Sequence, residues 1–275
     1  MEARALHNGQ PGYPPRLAAL RDAPATLWAR GAWTPAARSV AVVGARAART
    51  PSVELSFAIG ETLGRAGVDV ISGGAIGVDA GAHRGAMAAG GVTVAVLGNG
   101  IDVVYPQKHA ELFDDIERSG ALLTQFPPGV KPRPGQFPAR NRVIAGLAEL
   151  VVVVEASAES GSLHTVRFAR SMGRTVVAVP GSSGTDGLLV SGALPATSGD
   201  DVLAILEGRP IAPPILPEDP EARKLYEALD AVPRDVGDLA YRAGLAIGTC
   251  AAMVIDLELE GLAARAASGR YVRLR

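Results

Sequence analysis

Between residues 39 and 179 the apolar positions fall into short β-branched runs, at 40–43, 68–71, 93–97, 122–123, 150–154 and 175–179. Each run ends in glycine or a polar residue and gives way to a stretch with helical spacing. A strand with one wet face reads apolar at every second position; these runs are apolar throughout, as strands covered on both faces must be. Covered strands separated by helices predict an α/β fold with a doubly wound, mainly parallel sheet. The helix starts fit this order. Thr50 can cap a helix that has Pro51 in its first turn, and Ser162 opens a helical stretch through Met172. Sheets of this kind bind ligands beyond the carboxyl ends of their strands, so the loops that follow the runs are the places to look for chemistry.

The flanks read differently. Residues 1–38 are rich in Pro and Arg and keep no period, although Leu17, Leu20, Leu27 and Trp28 can lay the segment against the core, which predicts an N-terminal arm. The sheet domain then spans 39–208. Prolines at 210, 213, 214, 217 and 220 mark 209–220 as a semi-rigid linker. Beyond it, helical stretches at 223–229, 236–242 and 247–260, a turn at Gly244, and strands at 262–265 and 271–274 about Ser268-Gly269 predict a small C-terminal winged helix over 221–275.

A chain of 275 residues with 48% hydrophobic content can build one large core and a satellite. Lys and Arg total 27 against 28 for Asp and Glu, so any nucleic-acid partner must be met by focused charge rather than by net charge. Cys250 is the single cysteine, which excludes an intrachain disulfide and a cysteine metal cluster and suits a reducing compartment. Its apolar surroundings at 249–255 make it core packing rather than a catalytic thiol. No apolar run approaches the ~18 residues that span a bilayer, and the N-terminus lacks a signal core. A cytoplasmic protein without a membrane partner is expected.

Charge is concentrated at 131–142, where Lys131, Arg133, Arg140 and Arg142 stand in twelve residues without an acid, together with Phe137 and Asn141. Such a stretch can follow a phosphate backbone while the ring stacks on a base, which suits single strands better than groove reading. Gly44 with Arg46 and Arg49 flanks a helix start after the first run, an anion-binding arrangement. The Gly-x-Gly-x-x-Gly spacing of a dinucleotide site is missing there, so no cofactor is expected. Ser72-Gly73-Gly74 begins a glycine-dense loop whose amides can cradle a phosphate. Asp79 and His83, four apart on the next helix, can pair to orient that loop or take part in chemistry. Asp102 and Tyr105 either contact a ligand or fix a turn. Ser160-Gly161-Ser162 opens a helix whose free amides and hydroxyls face an anion position, but Val166, Arg167, Phe168, Ala169 and Arg170 supply no carboxylate for acid–base work. No further histidine or carboxylate cluster suggests a metal site or a catalytic triad.

The blocks Tyr13-Pro14-Pro15-Arg16-Leu17, Val42-Val43-Gly44-Ala45-Arg46 and Ser72 to Asp79 with Ala82-His83 occur in this order. Ala95 to Asp102 with Tyr105-Pro106, Phe137 to Arg142, Ser160 to Leu163, and Gly173-Arg174 with Val179-Pro180-Gly181 follow. In this arrangement the chain resembles the DprA/Smf family of bacterial DNA-processing proteins from about Tyr13 to its C-terminus. The resemblance implies an extended Rossmann fold that binds single-stranded DNA without catalysis, forms a homodimer and loads RecA onto incoming strands in natural transformation. It places Arg46 in the family's Gly-Ser-Arg phosphate loop, with Ala45 in the serine position and one hydroxyl donor fewer. Phe137, Arg140 and Arg142 would line the DNA pocket, with phosphates on Arg46, Arg140, Arg142 and the amides of Gly73, Gly74 and Gly161. Many relatives begin with a helical SAM-like domain, for which the residues before the sheet leave no room. A rival reading is a hydrolase like the lysine-decarboxylase-like phosphoribohydrolases, which share the architecture. The third helix of the winged unit holds Asp256, Glu258 and Glu260 and no cation, which disfavours duplex binding there and favours a protein contact.

Overall fold

The computed structural model describes residues 3–211, 216–230, 232–265 and 269–274. In chain order its first part runs β1 (Arg4–His7), α1 (Pro15–Ala18), β2 (Thr26–Arg30), β3 (Ser39–Val43), α2 (Thr50–Arg65), β4 (Asp69–Ser72), α3 (Val78–Ala88), β5 (Thr93–Val96) and α4 (Ala110–Ser119). It continues with β6 (Ala121–Thr124), α5 (Gln136–Leu147), β7 (Leu150–Val153), α6 (Ser162–Ser171), β8 (Thr175–Ala178), α7 (Ser183–Val190), β9 (Leu194–Pro195) and α8 (Gly199–Leu206). The C-terminal unit comprises α9 (Pro220–Ala228), α10 (Val236–Ala243), α11 (Ile247–Leu259), β10 (Ala263–Arg265) and β11 (Tyr271–Arg273).

The first unit is a nine-stranded sheet in the order β1-β2-β6-β5-β4-β3-β7-β8-β9. From β6 to β9 every pairing is parallel, with Val40 opposite Val70 on one side and Leu150 on the other. Two apolar layers explain the continuous runs. Ala41, Val43, Val151 and Val153 face α5 and α6 through Val143, Ile144, Leu147, Val166 and Ala169. Val40, Val42, Leu150, Val152 and Val154 face α2, α3 and α8 through Ile59, Leu63, Ala82, Ala86 and Val202. A third cluster seats Leu112, Phe113 and Ile116 of α4 against Ala95, Leu97 and Leu122. Strand order reverses direction between β3 and β7, and the crevice outside their carboxyl ends is where such a sheet takes ligands.

The expected N-terminal arm joins the sheet from Arg4 onward. β1 and β2 pair antiparallel with each other, and β2 pairs antiparallel with β6, so they extend the sheet at one edge. β1 is the edge strand with only Leu6 buried, and β2 beside it alternates buried and half-buried positions, so neither carries the continuous apolar signal of the interior. Thr50 is not the cap expected of it. Arg49 occupies the N-cap of α2 and its side chain makes no capping bond, and Thr50 and Pro51 already belong to the first turn.

The C-terminal unit has its own core of Leu225, Leu229, Leu239, Cys250, Val254 and Leu257. Cys250 is buried there, as its neighbours suggested. The unit is also docked on the sheet domain: Ala264 and Val272 belong to the larger core, and Gly261 lies close to Thr197 and Pro180. Residues 212–215 of the predicted linker, Ser268 of the predicted hairpin turn and Arg275 lie outside the described residues. Among the described residues no single helix is long and apolar enough to cross a membrane, and no group of His, Cys, Asp or Glu could hold a metal ion.

Candidate nucleic-acid interface

The loops after β3, β4, β5 and β7 meet the start of α5 at the carboxyl rim, and two cavities open there. One, of about 90 Å³, lies between Gly74, Gly98, Asn99, Tyr105 and Phe137. The other, of about 230 Å³, runs from Gly44 past Asn141 to Ser160, Ser162 and Thr165. Arg46, Ala75, Phe137 and Arg140 border both and form the divide, with Arg46, Phe137 and Arg140 its large side chains.

Phe137 stands in the first turn of α5 with its ring against Gly98, where a β-carbon would come within 2.8 Å of it. Glycine at 98 is therefore a space requirement. Tyr105 lies 5.7 Å away at an interplanar angle of 42°, and the Arg46 guanidinium sits 5.2 Å over the ring. That is within the range of a cation–π contact. Arg46 is exposed and makes no ion pair among the described residues, so its hydrogen-bond donors face solvent at the mouth of the cleft.

Arg140 differs from what its sequence context suggests. It is 5% exposed and gives its donors to the Gly73 and Val96 carbonyls, the latter at 2.6 Å, and to Asn141 Oδ1 at 3.1 Å. Burial lowers its pKa to about 10, with Asp79 opposing and Arg46 reinforcing the shift, so it stays charged near neutrality. Asp79 completes the brace. Its carboxylate accepts from the amides of Gly73 at 3.1 Å and Ala75 at 3.3 Å. Burial raises the Asp79 pKa, while Arg140 and these two amides pull it down. The glycine loop is thus gripped from both sides, by a carboxylate on its amides and by a guanidinium on its carbonyl. A β-carbon on Gly73 would fall on the Arg140 guanidinium.

Several expectations change as a result. The Gly73 amide is spent on Asp79 and is not open to a phosphate. Asp79 and His83 do not pair: His83 is buried and its Nδ1 lies 2.7 Å from Thr93 Oγ1. Because that hydroxyl donates to the Val70 carbonyl, Nδ1 must carry the proton and donate to Thr93. Nε2 then faces the interior without a partner among the described residues, and burial lowers the ring pKa to about 3. Arg142 points away from the cleft and forms an ion pair with Asp22 near the N-terminus. The reason is helical geometry: two residues on from Arg140 lies the opposite side of α5. Arg49 lies outside both cavities, pairing with Glu155 and donating to the Gly181 carbonyl at 2.9 Å. Three of the amides that open α6, those of Ser162, Leu163 and His164, are spent within the turn. Ser162 donates to Ser160 Oγ at 3.4 Å, Leu163 to the Ser160 carbonyl at 3.1 Å and His164 to the Gly161 carbonyl at 3.2 Å. Besides the Gly161 amide, this turn offers a ligand hydroxyls, with Ser160 Oγ and Ser162 Oγ 2.9 Å apart.

Gly44, Gly74, Asn141, Ser160, Gly161 and Ser162 do line the cleft. Ser72 is buried below it and donates to the Val42 carbonyl at 2.6 Å. Lys131 and Arg133 are exposed on the loop into α5 and line neither cavity. The two open alternatives separate: Asp102 fixes a turn by accepting from the Gly129 amide at 2.7 Å, and Tyr105, 41% exposed, borders the smaller cavity. Asn99, His164 and Thr165 also line the cleft; each lies within a stretch the sequence marks, without a role of its own assigned there. Only the fold tells which neighbours turn inward.

A doubly wound sheet with an arginine-bordered, aromatic-divided cleft at its switch point defines a Rossmann-type protein with a ligand cleft at its carboxyl rim. Family models narrow this further. That of DNA recombination-mediator protein A matches residues 4–207, and that of the DprA winged helix domain matches 209–269. The chain belongs to the DprA family of DNA recombination mediators. It is 37% identical to protein Smf of Escherichia coli over 96% of this chain and 75% of that one. With DNA processing protein DprA of Streptococcus pneumoniae it shares 41% identity over 71% of each. The solved structure of the S. pneumoniae protein superposes with a TM-score of 0.68 at 38% identity over 73% of each chain. DNA processing protein A of Helicobacter pylori, solved in a study of its single-stranded DNA binding mode, gives a TM-score of 0.68 at 26% identity over 75% of this chain and 96% of that one.

Proposed function

We propose that the protein binds single-stranded DNA along the carboxyl rim of its sheet, holds it without cleaving it, and mediates recombination by loading RecA on the strand during natural transformation. The observation that carries this reading is the Arg46 guanidinium, exposed and stacked on Phe137 where the two cavities meet. An unpaired strand presents a phosphate and a base face at each step. Arg46 takes the phosphate, Phe137 and Tyr105 take the base, and Ser160 and Ser162 donate to a neighbouring phosphate. Lys131 and Arg133 extend the cationic track on the loop before α5. Arg140 and Asp79 act beneath the surface by fixing the glycine loop. Membership of a recombination-mediator family and the strand-binding relative from H. pylori support the reading, with the protein acting as a cytoplasmic homodimer away from membranes.

Fluorescence anisotropy with labelled oligo-dT and with duplex of equal length tests it. The parent protein should prefer the single strand, and Arg46→Glu should lose that affinity while keeping its melting temperature. Equal affinity in parent and variant would refute the assignment. The hydrolase alternative needs a carboxylate on α6, and the residues from Val166 to Arg170 include none. Incubation with nucleoside monophosphates should release no free base.

A further inference from the structure

The rim leaves the outer side of α11 without a role, although a winged helix ordinarily presents its recognition helix to DNA. Two stripes at a spacing of four residues run along that side. Ile247, Ala251, Ile255 and Leu259 form an apolar stripe, with Ile247, Ile255 and Leu259 exposed by 65%, 50% and 74%. Beside it run Gly248, Ala252, Asp256 and Glu260, so the second stripe turns acidic toward the C-terminus. Residues four apart on a helix lie on one face, and contiguous exposed apolar surface marks an interaction site.

At the acidic end the stripes border a cavity of about 440 Å³ between α11 and the residues that open α9. Met253, Leu257 and Leu259 supply its apolar side, while Glu218, Asp219, Asp256 and Glu260 stand around it. Among the described residues no Lys or Arg lines this cavity, and none of the four carboxylates is in an ion pair. A phosphate backbone or an anionic lipid surface would be repelled here. A helix with an apolar stripe flanked by Lys or Arg would find both an apolar seat and unpaired carboxylates.

We infer that the outer side of α11, with the cavity against α9, is a docking surface for a cationic amphipathic helix of a partner protein. The rim handles nucleic acid and this face handles protein. Because Leu259 and Glu260 are exposed, Leu259→Ser with Glu260→Lys leaves the buried side of α11, Cys250, Val254 and Leu257, untouched.

Anisotropy of three labelled designed helical peptides with the full chain tests the proposal. One carries adjacent Leu and Lys stripes, the second Glu in place of Lys, and the third Ser in place of Leu. Only the Leu/Lys peptide should bind saturably, and the double variant should weaken it at least tenfold while oligo-dT binding and melting temperature stay as in the parent. Failure of the Leu/Lys peptide to bind, equal binding of all three, or binding indifferent to the double variant would overturn the proposal. Self-association that the variant abolishes would assign the face to a second copy, and duplex binding that it abolishes would assign it to DNA. Either result would also overturn it.

Discussion

The carboxyl rim of the sheet and the outer side of α11 both face solvent, yet they are built in opposite ways. At the rim one exposed cation, Arg46, stands over a ring, and behind it a buried guanidinium and carboxylate fix the loop on which the cleft depends. On α11 the exposed groups are apolar and acidic, and the buried side is plain hydrocarbon and one thiol. A nearly neutral chain can therefore offer a nucleic acid one surface and withhold another. Position of charge, rather than its sum, separates the two.

The most severe break in the contrast is removal of the buried support. Arg140→Met should cost about 3–5 kcal/mol of stability, because it strips the buried Gly73 and Val96 carbonyls of their donor and removes the nearby charge that favours the ionised Asp79, and urea titration followed by circular dichroism would measure the loss. Strand binding should fall with it. If stability held and only binding fell, Arg140 would be a ligand contact and the division between surface and support would be wrong. Next in size is the aromatic divide. Phe137→Ala should weaken oligo-dT binding by about 1–3 kcal/mol for the one base it stacks, with little change for an abasic strand of equal length.

The two regions also differ in how much of them can be read from sequence. The interior strands were legible because both faces are covered, which leaves an uninterrupted apolar signature at 40–43 or 150–154. The outer strands β1 and β2 were not, since β1 buries only Leu6 and β2 alternates buried with half-buried positions, and β9 is only two residues long. Within the cleft, Arg46, Phe137 and the serines were identifiable by type and spacing. Arg140 was placed in the right location with the wrong task. Nothing in a run of amino acids distinguishes a cation that waits for phosphate from one already satisfied by the Gly73 and Val96 carbonyls. Asp79 and His83 failed for a related reason: spacing of four permits a pair, but each had a better partner brought in by another strand or loop.

Ionic strength sharpens the comparison more gently. If Arg46, Lys131 and Arg133 each neutralise one phosphate, log affinity for oligo-dT should fall against log salt with a slope of about −2, at ~0.7 per phosphate for single strands. Lys131→Gln should flatten that slope by about 0.7, whereas Asp256→Asn on α11 should leave it alone.

pH dependence probes the buried side of the comparison, where two groups pull in opposite directions. His83, held down to about 3, stays neutral in the folded chain while the unfolded chain takes up a proton near 6.5, so its contribution is lost as pH falls below 6.5. Asp186 is raised to about 6 by burial, opposed by the Gly181 amide and reinforced by Glu258 of α11. The folded chain binds that proton more tightly than the unfolded one does, so this contribution is full below 3.8 and lost as pH rises through about 6. Thermal melts should accordingly find Asp186→Asn more stable than the parent at neutral pH, with no such advantage at pH below 3.8.

Ala264 and Val272 sit in the hairpin of the winged helix yet complete the apolar layer of the sheet domain. The two units therefore share hydrocarbon contacts as well as a backbone, and cutting the chain after the eighth helix would uncover part of that layer. Calorimetry should record one cooperative transition for the pair, with the smaller unit serving as a lid on the larger one's interior.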